Sequence, residues 1–179
     1  MNPLLIMFLT IVLVTAAVID IRVQRIPNLL TYPAMAVAIG YHSVAQGVDG
    51  LLFSTGGLVV GTAIFFIPYL MGGMGAGDAK LMGAVGAMLG VKGVFIASLS
   101  TVIIGGIYAI VLLLIRRKDC KGFITRWATT LKTFVLTKQF ISIPAGENEE
   151  KPKMCYGVAI AMGTILYVFL ALCEYDFVI

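Results

Sequence analysis

Two carboxylates stand out by where they fall in the chain. Asp20 directly follows an apolar run that begins at Pro3, and Asp78 directly precedes another that begins at Ala79. The other seven of the nine acidic residues lie in turns, in a long polar connection or near the C-terminus, where a solvated carboxylate is the default. Two carboxylates brought into one site can divide acid and base work. Like charges side by side resist joint ionisation, so the pair holds one proton; one member takes a proton from water while the other gives one to the substrate. That is the chemistry of peptide hydrolysis without a covalent intermediate. Competing chemistries lack their residues. His42 is the single histidine and sits in an apolar run near the far end of its span from either aspartate, which leaves no Ser-His or Cys-His nucleophile. Cys120, Cys155 and Cys173 are scattered and have no histidine to complete a zinc site, so neither metal nor cofactor is expected. His42 and the three cysteines read as packing residues.

The residues before Asp78 sharpen its case. Gly72-Gly73-Met74-Gly75-Ala76-Gly77 leads directly into it, and glycines such as Gly75 and Gly77 let one backbone approach another segment closely. Asp78 then opens a helix, where the positive end of the dipole attracts a carboxylate. Lys80 is two positions on and points to another side of that helix, so it is a poor ion-pair partner for Asp78. Arg22, Arg25 and Lys80 read as positive anchors at the membrane edge, with orientation of the carboxylate pair as their alternative role. Gly83, Gly86 and Gly90 read as close-packing positions, and Met71, Met74, Met82 and Met88 as adaptable packing.

The elements that must position these residues are membrane helices. Of 179 residues, 60% are apolar and 12% charged, with a mean hydropathy of +1.01. A soluble domain of this size could not hide that much apolar surface, and a disordered chain would lack it. Runs long enough to cross about 30 Å of hydrocarbon extend over 3–19, 29–45, 51–71 and 156–173, while 79–115 is long enough for two crossings and carries a turn at Gly90-Val91-Lys92-Gly93. The expectation is an all-α polytopic membrane protein, one domain over 1–179, with about six spans. The N-terminal run lacks a basic start and a small-residue cleavage site and is expected to be retained.

Sidedness follows from the basic residues. With the N-terminus outside, 12 of the 13 fall on the cytoplasmic side and only Lys92 does not. Asp20 and Asp78 then share that side of the plasma membrane. From Asp78 to Gly90 a helix rises only about 18 Å, so Asp78 is expected to sit below the inner surface, where a carboxylate is costly and calls for a function. The connection over 116–154 carries Phe123, Ile124, Trp127, Leu131, Phe134 and Val135 at helical spacing opposite Arg126, Lys132 and Lys138, which suggests an amphipathic helix on the inner surface. No basic face lies outside the membrane flanks, so nucleic acid is not an expected partner.

Taken in order, the motifs resemble those of the type 4 prepilin peptidases, a family of GxGD membrane aspartic peptidases, in their short tight-adherence-pilus form. Gly75-Ala76-Gly77-Asp78-Ala79-Lys80-Leu81 is similar to the GxGD signature, Asp20-Ile21-Arg22 with Ile26-Pro27-Asn28 to the first aspartate motif, and Tyr156-Gly157-Val158-Ala159 to the opening of the last helix. Cys155 stands where relatives often have proline. The resemblance implies that Asp20 and Asp78 are the catalytic pair, that the substrate is a type IV prepilin whose short basic leader is cut off on the cytoplasmic side, and that Gly75 and Gly77 support the motif. Longer relatives carry a cysteine-motif segment and also methylate the new N-terminus; without cysteine pairs here, methyl transfer is not expected. Archaeal preflagellin cleavage is an alternative within the class. Outside it, the same two carboxylates would suit a small proton- or cation-coupled transporter, though the inverted repeat common in such folds is absent, and a non-enzymatic pilus-assembly role would not need them.

Overall fold

The computed structural model describes residues 2–71, 73–115 and 155–177, all of the secondary structure among them helical. The chain divides into one unit of Met1–Gly105 with Cys155–Ile179 and a second of Gly106–Met154; the candidate site lies wholly in the first. The amphipathic helix expected within 116–154 and Gly72 of the glycine run lie outside the described residues, as does part of the single domain expected over 1–179.

Among the described residues, four helices are long and apolar enough to cross a membrane. Helix α1 spans Pro3–Val23, α2 Asn28–Leu70, α3 Ala76–Ile115 and α4 Tyr156–Phe177. Local chemistry sets the ends of α1. The Asn2 side chain accepts the Leu4 N–H at 3.1 Å and Pro3 occupies the first helical position, where its missing N–H costs nothing. At the other end Gln24 turns left-handed, with φ of 55°, and its N–H returns to the Asp20 carbonyl at 2.9 Å, the usual way a helix closes its last turn.

Helices α2 and α3 are each broken by one glycine, and each doubles back there. Gly47 has φ of 63° and Gly90 φ of 72°, a region open to glycine and costly for other residues. Reversal at Gly47 is plain from its flanks. The His42 and Phe53 rings lie 5.0 Å apart, whereas eleven residues of straight helix would separate them by about 16 Å. Around Gly90, a Cβ placed on Gly86 would come within 3.2 Å of Val94 Cγ2, although eight residues of straight helix rise about 12 Å. The two long helices are therefore hairpins of two rods each, and with α1 and α4 they make six helical rods. The breaks fall where the sequence places its turns, at Gln46–Gly50 and at Gly90–Gly93. Gly90, read from the sequence both as part of a turn and as a packing position, owes its place to the positive φ.

The Gly90 reversal leaves the last carbonyls of the first α3 rod without partners of their own. Two side chains from α2 supply them. Ser54 Oγ donates to the Ala87 carbonyl at 2.8 Å, and the buried His42 Nε2 lies 3.2 Å from the Met88 carbonyl. His42 is thus a helix-end cap wedged among Tyr41, Phe53 and α3.

Packing elsewhere follows membrane rules. Helix α1 buries Leu5, Leu9, Val12, Leu13, Ala16 and Asp20 on one stripe and exposes Leu4, Ile11, Val14, Val18 and Ile21 on the other. Both stripes are apolar, as a rod between protein and lipid requires. The inner stripe packs against α4. Between the hairpins, Gly57 and Gly86 face each other so closely that a Cβ on either would strike the other's carbonyl. Such backbone contact is how membrane helices gain dispersion without a hydrophobic drive between them.

Candidate active site

One end of the bundle gathers the chemistry. The end of α1 and the first turns of α2, α3 and α4 all meet there, while Gly47, Gly90 and the His42 cap lie at the other. Asp20 and Asp78 are both at the gathered end and both buried, with exposures of 5% and 7%. Asp20 closes the buried stripe of α1, one turn before the chain leaves that helix. Asp78 lies on the first turn of α3.

Each carboxylate takes a backbone N–H from the start of a helix. Asp78 Oδ2 accepts from Gly75 at 3.0 Å, and the Asp78 N–H returns to the Gly75 carbonyl at 3.1 Å. This is half of a capping box, in which the third residue of a helix reaches back to the residue before its first. Asp20 Oδ2 accepts from Gly157 at 2.8 Å, across 137 residues of sequence. Gly157 is the second residue of α4, so the positive end of that helix faces Asp20. A Cβ on Gly157 would lie 2.9 Å from Asp20 Oδ2 and 3.0 Å from Asp20 Cβ. Only glycine leaves the carboxylate where it is.

The neck between α1 and α2 brings the two aspartate segments together. A Cβ on Gly77 would sit 3.0 Å from both Ile26 Cβ and the Ile26 carbonyl oxygen. The Asp78 turn therefore lies flush against a residue only six positions from Asp20. The carboxylates are within electrostatic reach of each other, and Asp78 also acts on Tyr156. Cys155, just before α4, points its Sγ to the Asp20 carbonyl at 3.9 Å. Burial, and then the Asp20 and Asp78 carboxylates, push the Cys155 thiol up.

Asp20, Asp78, Gly75 and Gly77 come together at this end. Lys80 does not pair with Asp78: its Nζ donates to Asn28 Oδ1 at 2.8 Å and lies 5.1 Å from the centre of the Tyr32 ring. Gly157 is the residue that spacing alone missed as part of the site, although it belongs to the Tyr156-Gly157-Val158-Ala159 motif. Among the described residues no three His, Cys, Asp or Glu side chains cluster as metal ligands would. What two buried carboxylates at one end of the bundle, each held by a fixed N–H group, can do is pass protons to and from a water and a bound carbonyl.

Residues 7–110 match the family model described as the type IV leader peptidase family, a stretch that contains both aspartates and the glycine run. A protein of Aeromonas salmonicida (strain A449) called prepilin leader peptidase/N-methyltransferase is 34% identical over 118 residues, covering 62% of this chain and 40% of its own. One of the same name from Bacillus subtilis (strain 168) is 34% identical over 99 residues, covering 54% and 39%. The chain thus spans about two-fifths of the length of the curated relatives it matches. No solved structure gives a significant match.

Proposed function

The chain belongs to the type IV leader peptidase family, and from that premise we propose that it is an aspartic endopeptidase that removes the short basic leader of a type IV prepilin at the cytoplasmic face of the plasma membrane. Asp20 and Asp78 are the catalytic pair. The observation that supports the reading is the burial of both carboxylates at one end of the bundle, each held by a helix-start N–H.

The chemistry follows from that pairing. One aspartate, ionised, takes a proton from a water as its oxygen attacks the scissile carbonyl carbon. The other, protonated, gives its proton to the carbonyl oxygen. Collapse of the tetrahedral intermediate passes a proton to the leaving nitrogen and breaks the C–N bond, and the pair is left again with one proton. A prepilin fits by its own architecture, with a basic leader on the cytoplasmic side and an apolar helix in the bilayer, so that the bond to be cut lies at the membrane edge. The proposal is confined to leader cleavage. The matched family is described by its peptidase activity alone, and methyl transfer appears in the names of the relatives, of whose length the match covers about two-fifths.

Cleavage of a prepilin-like peptide by the purified protein, by Asp20→Asn and by Asp78→Asn tests the reading. Wild type alone should release the leader, with no methyl group on the product when S-adenosylmethionine is present. Cleavage by Asp78→Asn would overturn the catalytic pair, and proton-coupled uptake in liposomes lost in both variants would favour a transporter instead.

A further inference from the structure

Lys80 stands two residues beyond Asp78 yet binds neither aspartate. Its ammonium donates to Asn28 Oδ1 at 2.8 Å and lies 5.1 Å above the Tyr32 ring. Asn28 and Tyr32 are four residues apart on the first turns of α2, hence on one face, and together they grip a single cation from α3. The Oδ1 contact is charge-assisted and the ring contact adds a cation–π attraction. Directly beside this clamp, Ile26 lies flush against Gly77.

These contacts form a short path between the two carboxylates. Asp20 lies six residues before Ile26, whose chain direction is set by the left-handed Gln24. Gly77 lies one residue before Asp78. Six residues of chain and the Ile26–Gly77 contact thus link Asp20 to Asp78, and the Lys80–Asn28 bond ties the same two segments together a second time. Resting on the leader-peptidase reading above, we propose that Lys80 is a positioning residue, which through Asn28 and Tyr32 holds the Asp78 turn against the α1–α2 neck and so sets the geometry of the catalytic pair.

Two other roles for Lys80 make different predictions. As a bare positive anchor it would need charge but no Asn28. As a group acting directly on substrate it would be indifferent to Asn28 as well. The test is therefore a cycle in purified protein with a prepilin-like peptide: Lys80→Met, Asn28→Leu, the double variant, and the conservative Lys80→Arg and Asn28→Asp. Misplacing a reacting group by about an ångström costs up to about a hundredfold, so Lys80→Met and Asn28→Leu should each lower kcat by about tenfold to a hundredfold, with KM unchanged within about twofold. The double variant should be no slower than the slower single, because one clamp is broken only once. Lys80→Arg and Asn28→Asp should keep most of the activity. Asn28→Leu leaves the charge pattern intact, so it reads the clamp even where Lys80→Met fails to insert. Wild-type kcat in Asn28→Leu, or losses that multiply in the double variant, would overturn the inference while leaving the peptidase reading untouched. A wild type that cleaves no prepilin would overturn both.

Discussion

At the scale of single residues, the two aspartates have structural duties that must be separated from chemical ones. Each accepts an N–H at the start of a helix, and an asparagine carbonyl can accept the same bond. Asp20→Asn and Asp78→Asn should therefore keep melting midpoints close to wild type in detergent while losing leader cleavage, a combination that alanine would blur. Gly157 offers the converse experiment. Alanine keeps the N–H but puts a carbon 2.9 Å from Asp20 Oδ2, so Gly157→Ala should displace the carboxylate and lower kcat by about tenfold or more; an unchanged kcat would show that Asp20 tolerates the shift. Cys155 reports on the charge of the site. A raised thiol holds less thiolate at a given pH, and thiolate is the species that alkylates. With Cys120 and Cys173 replaced by serine, Cys155 should react with maleimide more slowly than an ordinary thiol, and faster once Asp20→Asn or Asp78→Asn removes a carboxylate that opposes its ionisation. Equal rates in all three would mean that the carboxylates carry no charge there. Asp20, Asp78 and the glycines before Asp78 were legible because residue type and position beside apolar runs single them out. The bond from Gly157 to Asp20 was not, since nothing local in the sequence expresses a contact spanning 137 residues.

At the scale of elements, the long apolar helices were legible, as were the breaks at Gly47 and Gly90, because charge and glycine interrupt hydropathy. What hydropathy does not carry is that the rods of α2 and α3 stay helical up to a single reversing glycine. Nor does it carry the caps. His42 looked like plain core, yet with Ser54 it supplies the carbonyls that the Gly90 reversal strands. The two reversals differ in a way that can be measured. Both glycines combine positive φ with an extended ψ, −136° at Gly47 and −179° at Gly90, a conformation open essentially to glycine that costs another residue about 1–3 kcal/mol. A Cβ at Gly47 meets nothing within 4 Å, whereas at Gly90 it runs into the Phe53 ring. Gly90→Ala should therefore lower the melting midpoint clearly more than Gly47→Ala. A Gly90→Ala, Phe53→Leu double variant should recover part of that difference, and equal losses at the two glycines would place the whole cost in backbone strain.

At the scale of the whole molecule, the two ends of the bundle differ in kind. One end carries Asp20, Arg22, Arg25, Asp78 and Lys80, and the other the Gly47 and Gly90 turns with Lys92 as their only basic residue. A cation is held back from crossing the membrane by the potential and retained near anionic lipid, so the basic end is expected to be cytoplasmic, with the carboxylate pair on the side where a prepilin leader waits. The geometry makes this testable with two single cysteines in a background free of the native three. Gln46→Cys reports on the turn end and Arg25→Cys on the neck between α1 and α2. In intact cells a membrane-impermeant maleimide should label Gln46→Cys and spare Arg25→Cys until the cells are opened. The reverse pattern would put the aspartates outside, where no leader could reach them before its pilin had crossed the membrane. It would thereby overturn the peptidase reading on topology alone, whatever the chemistry of the pair.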